Sequence, residues 1–458
     1  MEADHEGGAT AERDDTEDEG TTADAAATPD AAASAGGSSA GSAASVGALD
    51  AAPSGATIAG VYSSGLCMQC GTCAALCNQG AITMRWDVRE GLEPVVSPAA
   101  CNECGTCLEV CPGPGLDFTD DAWWRERNEG APSADFLGPW RRLAFGWAAD
   151  ADVRYQGASG GVATAIMQGA LAAGRIDAAL VCRMDPENAL ATEPVIARTA
   201  EEISACRGSK YNVAATNVLL RRVIEEPGRY ALIGLPCHIQ GLRLAQRHHP
   251  LLRKRIVLAI GLFCGWTGLP QLAAVAARRA GLSPRELASV SYRGPDWPGV
   301  MRLETHSGDS RVLPYPDYYD DLMFGYVPTR CRLCPDALAD LADISVGDAW
   351  LDRFDGTPGV SDLIARTEAG VAMLEELSPD ALVLEEARPG DMVASQKEAY
   401  VQKRLIYRGR RWLRQLAGRA VPQYPGVPGV VTTADRLHGA RDLARQVFYK
   451  TIGDLRYP

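Results

Sequence analysis

The chain has 458 residues, with 58 acidic and 45 basic side chains and a formal net charge of -13. Twelve of the acids and only one base, Arg13, fall in residues 1–60, so the remainder is close to neutral. A single-sign reading of the folded part, whether nucleic-acid attraction or a halophilic acidic surface, therefore has no basis.

Residues 1–58 are dominated by Ala, Gly, Ser, Thr and acids and hold no aromatic; the first is Tyr62. Such a segment cannot bury enough apolar area to offset its ordering entropy, so a disordered acidic tail is predicted. Acids follow Met1 where a secretory signal would be basic, and a cytoplasmic protein is expected.

Residues 59–125 contain an internal repeat. Cys67, Cys70, Cys73 and Cys77 recur as Cys101, Cys104, Cys107 and Cys111, each displaced by 34 residues, and both blocks contain Cys-Gly-Thr-Cys. Both read C-x2-C-x2-C-x3-C, the bacterial ferredoxin run in which three cysteines hold one cubane and the fourth holds the other. The expected ligand sets are Cys67, Cys70, Cys73 and Cys111 for one [4Fe–4S] cluster, and Cys101, Cys104, Cys107 and Cys77 for its mate. Zinc sites usually pair two C-x2-C elements over a longer spacer, which this pattern is not. Asn78 follows the first block where the second has Pro112. Ala81–Met84, between the blocks, reads as a strand.

From residue 140 to 400 helices alternate with apolar strands. Val162–Ala173 is a predicted helix stopped by Gly174, and Ala178–Cys182 a buried strand. Asn212–Glu226 reads as a helix, and Tyr230–Leu235 and Ile256–Phe263 as strands. Met301–Thr305 and Arg311–Tyr315 flank a Ser-Gly-Asp turn as a hairpin. Asp343–Val346 and Asp362–Arg366 add short strands. The expected fold class is α/β (α+β) with a mixed sheet, preceded by the two-cluster ferredoxin-like domain and the tail. The uncharged run Ile256–Ala277 is broken by Gly-Trp-Thr-Gly-Leu-Pro, so it reads as a strand, a loop and a helix beginning near Pro270, not a membrane span. Residues 401–458 form a basic helical extension whose stretch Lys403–Arg419 has seven bases and no acid. A solvated tail helix is preferred there over peripheral membrane contact.

Six cysteines remain. Cys182 and Cys206 read as structural. Cys237 and Cys264 follow strands, at the carboxyl ends where open α/β sheets place their ligand crevice. Cys331 and Cys334 form a C-x2-C clip. Spacing alone leaves open whether these four hold a third cluster.

Ser159-Gly-Gly-Val-Ala-Thr-Ala165, Gly208-Ser-Lys-Tyr211, Gly234-Leu-Pro-Cys237, Leu262-Phe-Cys264, Cys331-Arg-Leu-Cys334 and Ala342-Asp-Ile-Ser-Val-Gly-Asp348 occur in that order. Together they resemble the beta subunit of coenzyme F420 hydrogenases and dehydrogenases over about residues 140–400. The resemblance implies FAD, a third [4Fe–4S] on Cys237, Cys264, Cys331 and Cys334, and flavin contacts from Ser159, Gly160, Gly161, Ser209, Lys210, Tyr211, Gly234 and Pro236. Two glycines before a helix let backbone N–H groups approach a diphosphate. His238 stands where the family usually has Gln and is expected to cap the following helix; Asp348 is expected to be structural. No catalytic residue is assigned.

The expected function is an FAD-dependent iron–sulfur oxidoreductase that exchanges hydride with coenzyme F420 and single electrons with ferredoxin or a hydrogenase or dehydrogenase subunit. Alternatives are a ferredoxin-dependent reductase of an organic substrate, tetrapyrrole or sugar-derived, and a non-catalytic electron-transfer subunit. Neither G-x-G-x-x-G nor a Walker A loop is present, so nicotinamide-Rossmann and nucleotide-hydrolysing readings have no support.

Overall fold

The computed structural model describes residues 57–118, 128–425, 427 and 431–456. The predicted tail, apart from Thr57 and Ile58, lies outside them, as does the segment 119–127 that ends the ferredoxin-type region. Ile58 itself begins a helix, Ile58–Ser63, capped by the Thr57 hydroxyl accepting from the Gly60 amide. Residues 54–458 form one compact unit.

In the ferredoxin-type region β1 (Ile82–Asp87) pairs antiparallel with β2 (Gly91–Val96), and two short helices, Thr72–Leu76 and Thr106–Glu109, lie within the cysteine blocks and carry Cys73 and Cys107. A two-residue pair, β3 (Ser133–Ala134) and β4 (Gly138–Pro139), leads into the main sheet.

That sheet has eight strands: β5 (Arg142–Ala148), β6 (Ala178–Met184), β7 (Thr192–Ala197), β8 (Tyr230–Gly234), β9 (Ile256–Leu262), β13 (Ile344–Asp348), β14 (Ser361–Ala365) and β15 (Leu382–Glu386), in the order β15-β5-β14-β13-β9-β8-β6-β7. Its four central strands, β13, β9, β8 and β6, are parallel and apolar on both faces, as strands covered by helices must be. The flanking strands run antiparallel. A three-stranded antiparallel sheet, β10 (Leu287–Ser291), β11 (Val300–Thr305) and β12 (Ser310–Pro314), is attached beside it. The mixed α/β expectation holds, and the hairpin around Ser-Gly-Asp is β11–β12.

Several sequence readings shift. Asn212–Glu226 is not helical throughout: a 3-10 turn begins at Thr216 and the α-helix spans only Leu220–Glu225, because Asn212 and the residues after it are buried in loop contacts. The Asn212 amide donates to Leu190 O at 2.8 Å. The edge strands β15 and β7, and β5 beside β15, carry no clear turn signals and lie outside the sequence expectations. The basic stretch is helical and covers the core, but it is only partly solvated: residues 415–419 are exposed, and the part before them is not. Lys403, Arg404 and Arg410 are buried, because Arg410 forms a two-pronged pair with Asp442 and Arg404 donates to the carbonyls of Pro335 and Asp135. The long helix Thr433–Arg456 supplies the acid that neutralises this face. Among the described residues no helix is long and apolar enough to cross a membrane.

Candidate iron–sulfur centres and the adjoining crevice

The sequence repeat is also a repeat of conformation. Gln69 and Glu103 take left-handed backbone angles (φ 60° and 56°), as do Gly71 and Gly105 (84° and 80°). In each block this turns an amide toward a cysteine sulfur: Gln69 N donates to Cys67 Sγ at 3.3 Å and Glu103 N to Cys101 Sγ at 3.4 Å. The third residue repeats too, with Cys70 Sγ 3.2 Å from Thr72 Oγ1 and Cys104 Sγ 3.5 Å from Thr106 Oγ1. Ala81 N reaches Cys77 Sγ at 3.2 Å, and Gly113 N reaches Cys111 Sγ at 3.4 Å. Amides aimed at sulfur favour the thiolate, the form that ligates metal.

Which cysteines face one another follows from their mutual electrostatics. Cys111 feels Cys70 and Cys67, and Cys73 feels Cys70, Cys111 and Cys67. Cys107 feels Cys104, Cys101 and Cys77. The fourth cysteine of each block thus crosses to the other block. Burial and these like charges hold the first set well above the ordinary thiol range, Cys67 at about 12. Four such thiols would not share this space as thiolates without a cation among them. Cys67, Cys70, Cys73 and Cys111 line one pocket, with Met84 and Pro112 completing its wall. All fourteen cysteines are free of disulfides. Among the described residues no three His, Cys, Asp or Glu side chains converge tightly enough for a single ion. The donor set, two C-x2-C-x2-C-x3-C blocks whose sulfurs meet across the repeat, fits a cubane better than zinc. The two sets differ in exposure: Cys70 and Cys73 of the first are buried, whereas Cys101 and Cys104 of the second face solvent.

The four cysteines beyond the repeat also converge. Cys237 sits in the first turn of the helix Pro236–His248, directly after β8, and Cys264 follows β9, its amide bonded to Ala337 O at 2.8 Å. Cys331 lies on the short helix Thr329–Arg332 and Cys334 just after it. Cys237 feels Cys331, Cys264 and Cys334, and burial raises it furthest; Cys264 stands at about 12 for the same cause. Cys237 also feels Cys70 of the first ferredoxin set. The two regions are locked there. Asn217 Nδ2 donates to Thr72 Oγ1 and to His238 O, both at 2.8 Å, and Asn217 N donates to Cys70 O. Leu333, inside the C-x2-C clip, is buried with Ile58, Val61, Leu66, Cys73 and Cys77 in the ferredoxin-type core.

The predicted flavin residues occupy one neighbourhood, at the carboxyl ends of β8, β9 and β13, but several are already engaged. Ser159 Oγ donates to Val360 O at 2.9 Å, and Gly160 N donates to Ser361 Oγ at 3.1 Å. A Cβ on Gly160 would lie 2.6 Å from Gly146 O, so close packing alone requires glycine there. The amides that remain belong to the helix Val162–Ala172, whose start at Gly161 has no side-chain cap. Lys210 donates to the carbonyls of Cys206, Arg207 and Gly208, closing the preceding helix. Gly234 packs on His238, where a Cβ would meet His238 Cβ at 2.6 Å, and Pro236 begins the Cys237 helix. Both His238 nitrogens are used: Nδ1 accepts from Leu235 N and Nε2 bonds Ala214 O at 2.7 Å. Burial lowers its pKa, so the ring is neutral and caps the helix.

Sequence reading missed a cluster of aromatic side chains beside these residues. Tyr211 packs edge-on against Tyr319 (4.8 Å between centroids) and Tyr292 (5.8 Å), and Tyr315 stacks on Trp350 (5.8 Å, 17°). Arg293 lies over the Tyr315 ring and forms a bidentate pair with Asp348 at 2.9 and 2.8 Å, which Trp297 Nε1 joins at 3.0 Å. Asp348 is thus an anchor for Arg293. The runs Tyr292-Arg-Gly-Pro-Asp-Trp297 and Tyr315-Pro-Asp-Tyr-Tyr319 were the available signal: aromatics are 7% of the chain and cluster here.

Residues 144–221 match the model of the coenzyme F420 hydrogenase/dehydrogenase beta subunit N-terminus, and residues 228–389 that of its C terminus. The chain belongs to this family. Residues 66–113 match a 4Fe-4S dicluster domain, so the chain carries iron–sulfur clusters there. The chain is 25% identical over 289 residues to the coenzyme F420 hydrogenase subunit beta of Methanothermobacter thermautotrophicus, covering 59% of this chain and 96% of that one. It is 26% identical over 326 residues to the coenzyme F420-dependent sulfite reductase of Methanocaldococcus jannaschii, covering 68% and 46%. A chain of the F420-reducing [NiFe] hydrogenase complex from Methanosarcina barkeri, solved as a xenon derivative, shares the fold: TM-score 0.51, 20% identity, 64% of this chain and 99% of that one. The ferredoxin-type region and the C-terminal strap, the residues after 389, lie outside the family's own two models.

Proposed function

We propose that the chain is an iron–sulfur flavoprotein oxidoreductase that links hydride exchange with coenzyme F420 to single-electron transfer with a partner protein. One observation carries this reading: three groups of four cysteines stand in series, from the exposed set of Cys101 and Cys104, through the set of Cys67, to the set of Cys237 beside a cluster of aromatic side chains. When bound, [4Fe–4S] clusters supply one-electron carriage and FAD supplies hydride chemistry. The chain's own residues hold and orient. Cys237, Cys264, Cys331 and Cys334 would hold the third cluster. The open amides at the start of Val162–Ala172, with Gly161, would receive the diphosphate. Tyr211, Tyr319, Tyr315 and Trp350 offer flat apolar faces to planar rings. The relatives, hydrogenase subunits and an F420-dependent sulfite reductase, support both the coenzyme and a protein partner, which would dock at the exposed cysteine set.

Anaerobic purification with iron, acid-labile sulfide and flavin quantification tests this reading. About twelve irons and one FAD per chain are expected, with bleaching of the flavin on adding reduced F420. Bleaching only after an organic compound is supplied would favour a reductase of that compound, and iron without flavin would leave a relay subunit.

A further inference from the structure

The family models end at residue 389, yet a later residue reaches the third cysteine group. Val401–Ile406 winds as a π-helix leading into the helix Tyr407–Leu416, a conformation that alters the register of side chains and recurs at functional sites. Lys403 on this turn is 2% exposed. Its ammonium donates to the carbonyl oxygen of Cys331 at 3.4 Å. Among the charged side chains around Cys264 and Cys331, it exerts the largest pull toward the ionised thiol.

Its surroundings differ from those of the other buried cations on this strap. Arg410 pairs with Asp442, which Arg332 also approaches, and Arg404 faces Asp340 at 3.8 Å. Among the described residues Lys403 has no carboxylate within ion-pair distance. Desolvating an ammonium without an anion costs several kcal/mol, and a single long hydrogen bond to a carbonyl does not offset that. The anion facing Lys403 is the cysteine group itself. A cluster ligated by four thiolates is negatively charged, and reduction adds one further negative charge.

From this we infer that Lys403 is a positioning residue for the redox balance of the third centre: its fixed charge stabilises the reduced cluster on Cys237, Cys264, Cys331 and Cys334 and so raises that cluster's potential. The physical reason is that a cation close to the added electron interacts in a low-dielectric interior, where the screening of water is absent. The inference rests on the three-cluster reading above. Arg330, the other buried cation here without a carboxylate, faces Cys67, Cys111 and Cys331, so it acts on two groups at once. Lys403 faces Cys264 and Cys331 of the third group, which makes it the selective probe.

The test is a redox titration of the full-length, anaerobically prepared protein, followed by electron paramagnetic resonance, for the parent chain, Lys403→Met and Lys403→Arg. In Lys403→Met the third cluster should become about tenfold harder to reduce, a negative shift of about 59 mV for one electron, while the two ferredoxin-type signals stay in place. Lys403→Arg should restore most of the shift. A Lys403→Met protein with full iron and an unmoved third potential overturns the inference. If Lys403→Met fails to assemble the cluster, Lys403→Gln, which keeps a donor for the Cys331 carbonyl, decides by the same two outcomes. The underlying reading fails separately: Cys331→Ser retaining all its iron would mean that no third cluster is held there.

Discussion

Arg330 Nε donates to the carbonyl oxygen of Gly113 at 2.8 Å, joining residues 217 apart in sequence. Its other nitrogens reach the carbonyls of Pro112 and Leu333 and the hydroxyl of Tyr424. One buried guanidinium therefore ties the loop after Cys111, the Cys331–Cys334 clip and the C-terminal strap together, and fixes the first and third cysteine groups against each other.

Removing that tie should cost the whole unit stability. Arg330→Met leaves several buried carbonyls without a donor, each worth about 1–3 kcal/mol. Unfolding of the cluster-loaded protein in denaturant should show a loss of about 2–5 kcal/mol. A change within about 0.5 kcal/mol would mean that the guanidinium is not the joint.

Gly241 should be as critical as any cysteine neighbour. A Cβ there would lie 2.2 Å from Thr72 Oγ1 and 2.9 Å from Asn217 Nδ2, so Gly241→Ala must push the ferredoxin-type helix off the Cys237 helix. Overpacking of this kind costs about 1–3 kcal/mol. Rapid-mixing measurements should find slower electron passage between the first and third groups with the iron content unchanged; an unaltered rate would count against the contact.

Lys210 bears on the flavin. Because its ammonium caps carbonyls of the preceding helix, Lys210→Met should lower stability by about 1 kcal/mol and retain FAD. Loss of FAD at normal stability would restore Lys210 as a direct flavin contact.

Asp362 gives a pH dependence. Burial, opposed by donors from Ser395 (2.7 Å) and Gln396 (2.8 Å), raises its carboxyl to about 8. Since the unfolded value is near 4, the folded state is favoured fully below about pH 4, and this contribution is lost as pH rises through 8. Asp362→Asn, neutral throughout, should flatten the decline in stability between those limits by a few kcal/mol. A parallel decline in both proteins would show that another group is responsible.

The local chemistry was legible without coordinates. The 34-residue offset announced the paired cysteine blocks, and the structure repeats even their left-handed turns, because a triplet of closely spaced thiolates dictates its own loop. The central strands β6, β8, β9 and β13 were readable as apolar runs, since burial on both faces leaves that mark in sequence. The edge strands β15 and β7 left a weaker one, and the aromatic cluster was scattered over 140 residues from Tyr211 to Trp350.

The sequence by itself determined the eight ferredoxin-type cysteines, their pairing across the repeat, and the strand ends that carry Cys237 and Cys264; these depend on spacing and burial along short segments. Tertiary structure decided how the groups are joined and which charges face them. Leu333 enters the ferredoxin-type core, Arg330 ties three segments, and Lys403 leaves an apparently solvated basic run to face Cys331. Such contacts join residues tens to hundreds of positions apart. A basic side chain looks the same in sequence whether water or a cysteine group surrounds it, and only packing distinguishes the two.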